Sequence, residues 1–437
     1  MPVTNSRIGS QQRWLCVPSI VLVFLLAANQ NNLAAEFTRI ADTSTPTPNG
    51  AGNFLGFDKP VLSGSTIAFS SGQAIYLAPS TGGAISVVVD LDDAIPGGNG
   101  NFTEINSVRS SSETILAFRA RGSNDQLGIY AASTTDQTIS VIADRNTAIP
   151  NGSGRFSGMS LESVSGSMIA FSGGNTSSNQ RGIYVGSTNG GLTHVADQNT
   201  AIPGGVGTFD RLGQPGVALH DNMVAWKGEG MDSQRGIYIG NVADGSIVRV
   251  ADTNFMIPNG IGNFRHFYVP YLSDEIVAFE GLGDSAQEGI YAAYLDGAIL
   301  ARVADLNTPV PMGDGNFSKL FFNGNTSVSV SGNMIAFRGL DASGKAGIYT
   351  NLINEDKLAK VVATGDLLDG RYVSDLRFGV DSLDSGQLAF LASFTDGSAG
   401  VYTTSVAVPE PNTLILAVIG LVMVMRRFTS QNRNTPG

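Results

Sequence analysis

The sequence predicts an all-β fold: a seven-bladed β-propeller whose ring is closed by an N-terminal strand completing the last blade. Three observations carry this expectation. A Gly-Ile-Tyr-like motif recurs seven times, ending at Tyr76, Tyr130, Tyr184, Tyr238, Tyr291, Tyr349 and Tyr402. Each repeat divides into four short apolar segments bounded by Gly, Asn, Asp and Ser, the signature of strands joined by tight turns. The phase of the array is the third. The body opens on a fourth-segment sequence, Phe37-Thr38-Arg39-Ile40-Ala41-Asp42, with no repeat before it, and the last repeat stops after its third segment at Tyr402. An orphan strand at one end and a missing one at the other fit a ring closed by pairing the termini. A stacked solenoid, the rival architecture, gives no reason for the match.

Within a unit the elements follow in a fixed order. An Ile-Pro-x-Gly-x-Gly-x-Phe loop comes first, with its aromatic at Phe54, Phe102, Phe156, Phe209, Phe264 and Phe317. Its Pro pre-sets a turn and its Gly residues take backbone angles that other residues avoid. The first strand starts at that Phe. An Ile-Ala-Phe-like second strand ends at Phe69, Phe118, Phe171, Trp226, Phe279, Phe337 and Phe390. The Gly-Ile-Tyr strand is third. A Val-Ala-Asp fourth strand ends at Asp42, Asp90, Asp144, Asp197, Asp252 and Asp305, with a weaker copy at Asp366. In one sample unit the four segments are 264–272, 276–279, 289–295 and 298–304. They are too short, and too rich in β-branched and aromatic residues, to be helices.

Composition agrees. The chain has 437 residues, 54 of them Gly, and only 14% are charged, against about 25% in an ordinary globular protein. The net charge of −11 argues against nucleic acid as a partner. A single Cys rules out an internal disulfide and a thiolate metal cluster, and three His leave little room for imidazole chemistry.

The two ends read as addresses. Residues 1–35 hold Arg7, Arg13 and an apolar run over 15–28, which predicts a secretory signal peptide cut by a signal peptidase. Residues 406–437 hold Pro409-Glu410-Pro411, an apolar run over 414–425 and then Arg426-Arg427. This order resembles the PEP-CTERM sorting signal of exported bacterial proteins. The resemblance implies recognition by an exosortase and delivery to the cell envelope or extracellular matrix. It also implies transient or stable membrane anchoring through the C-terminal helix, and an association with exopolysaccharide. The expected domains are thus 1–35, the propeller over 36–405, and the tail over 406–437. The ends carry five Arg and one acidic residue, Glu410, so the body keeps 21 basic and 36 acidic residues, a net charge of −15.

Candidate chemistry is sparse. The repeated Asp followed two residues later by Asn, as at Asp144, Asp197, Asp252 and Asp305, has two readings. Asp and Asn cap turns through their own backbone, and paired oxygens also suit calcium. Asp90, Asp92 and Asp93, three carboxylates together, form the best calcium candidate. Ligand binding is expected where the units differ. The first and second residues after the loop Phe include Glu104, Asp210, Arg211, Arg265, His266 and Lys319, expected to ring one mouth of the channel. No Gly-x-Ser-x-Gly elbow and no phosphate-binding Gly-Lys-Ser loop is present, so no catalytic residue is assigned and the chain does not read as an enzyme. The leading reading is a non-catalytic surface scaffold or adhesion module. A lectin-like binder of exopolysaccharide comes second, and a glycan hydrolase or lyase third.

Overall fold

The computed structural model describes residues 36–406, apart from 49, 51, 177–179, 285–286, 298, 323–327 and 354. The predicted signal peptide and the sorting residues Pro409, Glu410, Pro411, Arg426 and Arg427 lie outside the described residues. Seven antiparallel sheets follow one another along the chain. Blade 3 is typical, with strands Gly158–Ser165, Met168–Asn175, Gln180–Ser187 and Leu192–Asp197 from the channel outwards. The inner strands of consecutive blades touch in order around the ring, and that of blade 7 touches that of blade 1. Helical structure among the described residues is confined to 3-10 turns such as Ser123–Asp125, and no helix there is long and apolar enough to cross a membrane.

The repeat motifs become a repeated core. In blade 3 the loop Phe156 stands edge-on to Tyr184, with centroids 5.0 Å apart at 88°, while Phe171 stacks on the same Tyr at 5.7 Å and 30°. Phe102, Phe118 and Tyr130 repeat this arrangement in blade 2, and Phe317, Phe337 and Tyr349 in blade 6. Edge-on and offset rings let quadrupoles attract while apolar area is buried. The Gly of the Gly-Ile-Tyr motif has a steric cause. A Cβ on Gly347 would lie 2.5 Å from the Tyr349 hydroxyl, which folds back across it. All seven outer strands shift register at the same point, as between Arg39 and Ala41 or Ile183 and Tyr184.

Ring closure is as the phase of the repeats predicts. Phe37–Asp42 pairs antiparallel with Ala399–Ser405, Phe37 opposite Thr404 and Asp42 opposite Gly400, and so becomes the outer strand of blade 7. An ion-pair cluster clamps this seam. Asp42, 1% exposed, faces Arg39 at 3.2 Å and Arg371 at 3.4 Å, and Arg371 also donates to the Tyr402 hydroxyl at 2.6 Å.

Hydroxyls on and beside the inner and second strands tie blade to blade. Val108 N donates to Ser70 Oγ at 2.8 Å, Val164 N to Ser110 Oγ at 2.7 Å, and Ser382 Oγ to the Pro60 carbonyl at 2.6 Å. Ser110 and Ser382 are fully buried, so these bonds satisfy groups that water cannot reach.

Candidate functional site

The channel wall is built where the inner strands break register. In blade 2, Ile105 pairs with Ala120 and Ser110 with Ala117, so residues 106–109 bulge out of the sheet. In blade 4, Leu212 pairs with Gly228 and Val217 with Trp226; in blade 7, Arg377 pairs with Leu391 and Leu383 with Leu388. Bulges re-aim side chains, and here they turn single, unrepeated residues toward the axis.

The result is an hourglass. On the side where the chain passes from blade to blade, two cavities of about 360 and 430 Å³ share Asn106, Ser107 and Arg109 as a common wall. The waist is about 30 Å³, room for little more than a water, and is lined by Arg109, Glu162, Tyr271 and Asp381. Beyond it, where inner and second strands turn, lies a cavity of about 720 Å³ with Glu113, His220, Asp274, Asp381 and Asp384 in its wall. The two ends differ in charge. The upper funnel gathers Lys59, Arg109 and Arg119, whereas the lower is acidic.

The waist carboxyls are out of their ordinary range. Burial pushes Glu162 up to about 7, against the opposing pull of Arg109 and hydrogen bonds from Ser160 and Ser172. Burial also pushes Asp381 up to about 6, helped by the neighbouring Asp384 and opposed by Ser110 and Arg109. Lys59 is pushed down to about 8, first by burial and then by the positive charges of Arg109, Arg377 and Arg338. Most upper cations are already satisfied. Arg119 donates to the Met159 carbonyl and to Asn106, while Arg338 and Arg377 share Asp375. Arg109 differs: among the described residues it makes no hydrogen bond and no ion pair within 4 Å.

The residues singled out from the sequence are placed as local pairs. Glu104 faces Arg121 at 3.4 Å, Asp210 faces Arg211 at 3.9 Å, and Arg265 contacts Asp284. His266 Nε2 lies 3.5 Å from Lys227 Nζ, and Lys319 lies over the Phe322 ring at 5.6 Å. These six are not among the residues that line the two funnels and the waist. The channel is lined instead from the third or fourth residue after the loop Phe onward, with Asp58 and Lys59 after Phe54, Asn106 to Arg109 after Phe102, and Met159, Ser160 and Glu162 after Phe156.

The repeated carboxylates cap turns. Asp144 accepts from Asn146 N at 2.9 Å and Thr147 Oγ1 at 2.8 Å, and Asp197 accepts from Asn199 N at 2.8 Å. Asp252 and Asp305 add an Arg each, Arg249 at 2.6 Å and Arg302 at 2.9 Å. At Asp90, the side chain accepts from Asp92 N at 2.9 Å while Asp93 accepts from Asp90 N at 2.8 Å. Among the described residues, no group of three or more His, Cys, Asp or Glu is arranged to hold a metal.

Residues 23–415 match a family of unknown function, DUF7453. No curated protein matches the chain. Among solved structures, the β-propeller domain of the Trilobed protease from Pyrococcus furiosus is 10% identical, with a TM-score of 0.49 over 82% of this chain and 100% of that one. An oligogalacturonate lyase from Vibrio parahaemolyticus is 13% identical, with a TM-score of 0.47 over 86% and 98%. A putative TolB from Agrobacterium tumefaciens is 15% identical, with a TM-score of 0.37 over 57% and 81%.

Proposed function

The chain belongs to the DUF7453 family, and from the geometry of its own ring we propose that it is an exported cell-envelope or extracellular protein that binds a polar polymer without cleaving it. The role is that of a surface scaffold or adhesion module, sorted by an exosortase-type system and holding exopolysaccharide. One observation supports a binding role above the others. In a body built from seven copies of one blade, the side chains that occur once, Lys59, Arg109, Glu162 and Asp381, gather on an open channel. A rigid repeated frame carrying unrepeated groups at its axis holds a ligand in one orientation at little entropic cost.

Incubating the full-length chain with a panel of bacterial exopolysaccharides, with and without calcium, tests this reading. Retention of a polysaccharide with no release of shortened or unsaturated sugars is the expected result. Release of such products would make the protein a hydrolase or lyase, and absence of retention across the panel would overturn the binding role. In the source cell the chain is expected in the envelope or medium fraction.

A further inference from the structure

The ligand that the upper funnel takes can be read from its charges. The body is strongly acidic, with 36 acidic and 21 basic residues between the two ends, yet this funnel collects cations from several blades. Lys59 comes from blade 1, Arg109 and Arg119 from blade 2, and the charges of Arg338 and Arg377 from blades 6 and 7 reach Lys59. Like charges in a half-buried space repel, and the repulsion is felt at Lys59. Such a cluster needs a counter-charge. Asp375 supplies it for Arg338 and Arg377, at 2.8 Å each. Arg109 stands at the waist with no hydrogen bond and no ion pair within 4 Å among the described residues, and the charges of Glu162 and Asp381 reach it only from a distance.

We propose that the upper funnel is a carboxylate-binding site, in which the guanidinium of Arg109 takes the ligand's carboxylate and Lys59 adds a second positive charge. Arginine presents parallel N–H donors that match a planar carboxylate. A doubly charged phosphate suits the site less, because Glu162 and Asp381 flank Arg109 at the waist and would repel it. The cavities beside Arg109, about 360 and 430 Å³, leave room for a body the size of one or two sugar rings behind the carboxylate. Ser107 and Asp58, hydrogen-bonded to each other at 2.5 Å, offer polar groups to its hydroxyls. The assignment rests on the binding role proposed above and names the chemistry of the unit that is gripped.

Charge at the waist sets the pH response. Facing Arg109 are Glu162 from blade 3, Asp381 from blade 7 with Asp384 behind it, Tyr271 from blade 5, and Lys59 with Asp58 from blade 1. As pH falls through about 7 and about 6, Glu162 and Asp381 take up protons and stop competing for Arg109. As pH rises through about 8, Lys59 loses its charge. Affinity therefore falls steadily from pH 5.5 to pH 9.

Calorimetric titration of the full-length chain with glucuronate, acetate, phosphate and glucose at pH 7 tests the assignment. Glucuronate should bind best and glucose not measurably. R109A should lose about 10- to 100-fold in affinity, the scale of one charge-assisted hydrogen-bonded pair. R109K should lose less, and E162Q should bind more tightly with a flatter pH profile. R109A removes an exposed group with no hydrogen bond and no ion pair within 4 Å among the described residues, so its thermal transition should not move. Acetate binding as tightly as glucuronate would still support a carboxylate site and assign no role to the sugar ring. Unchanged glucuronate affinity in R109A, or phosphate binding as tightly as glucuronate, would overturn the proposal. The polysaccharide panel separates the two failures. A polymer held equally by R109A and the native chain removes the site but keeps the binding role.

Discussion

Deleting Phe37–Asp42 should lower the thermal transition by roughly 10–20 °C or abolish cooperative unfolding, the largest effect expected of any six-residue change in this chain. The strand has no local partner and spends its whole pairing capacity on Ala399–Ser405. Its loss removes the buried side chains of Ile40 and Ala41, 6% and 1% exposed, bares the apolar surface they cover, and strips the edge-on contact of Phe37 with Phe390 at 5.9 Å. Each large apolar side chain is worth about 1.5–3 kcal/mol and each ladder hydrogen bond about 0.5–1.5 kcal/mol net. Arg371 and Asp369 would also lose Asp42 and Arg39. The sum, roughly 5–10 kcal/mol, is comparable with the whole stability of a typical domain, about 5–15 kcal/mol. Differential scanning calorimetry of the deletion variant checks it. A transition within about 3 °C of the native one would mean that the strand does not close the ring.

The second large effect concerns the repeated aromatic cluster. Phe171→Ala should cost about 3–5 kcal/mol, because a fully buried ring in contact with both Phe156 and Tyr184 is removed and the tightly packed faces cannot collapse into the gap. The equivalent Phe337→Ala in blade 6 should cost a similar amount, since Phe317 and Tyr349 surround it with nearly the same geometry. Blades 3 and 6 share no contact cluster, so the two changes should add within about 0.5 kcal/mol, whereas Phe171→Ala and Phe156→Ala, in contact, should not. Denaturant midpoints measure both. In a closed ring the variants keep a single transition. Separate transitions for separate blades would indicate a chain that behaves as an open stack of independent units.

The frame was legible in the sequence because it is written seven times. Spacing of the Tyr, Phe and Asp motifs sets the blade count, and the unmatched Ile40-Ala41-Asp42 sets the closure, which the pairing with Gly400 and Val401 bears out. The channel was not legible in the same way. Positions immediately after the loop Phe, such as Glu104, Arg211 and His266, begin the inner strands and pair within the sheet or with neighbouring side chains. The groups that reach the axis sit on bulges, and bulges differ from blade to blade, so a fixed offset from the Phe fails to find them. One signal was available. The stretch from Phe102 to Phe118, which carries Arg109, is one residue longer than that from Phe54 to Phe69. Extra residues between two fixed core positions have to leave the sheet, and on an inner strand the channel is the open side. The raised carboxyls of Glu162 and Asp381 depend on burial by other blades, which no local sequence pattern reports.

Ring closure underlies the channel, its two funnels and the gathering of single residues from distant repeats. The most direct test is a cross-link over the seam. Thr38 and Thr403 lie directly opposite each other in the ladder, a separation that suits a disulfide. The double variant Thr38→Cys, Thr403→Cys, with Cys16→Ala to leave no other thiol, should form an intramolecular disulfide on mild oxidation and melt higher oxidised than reduced. Closing a loop of more than 300 residues should outweigh the loss of the Thr403 hydroxyl bond to the Ser80 carbonyl, 2.7 Å long. Free thiols after oxidation, or only intermolecular cross-links, would contradict a ring closed by its own N-terminal strand.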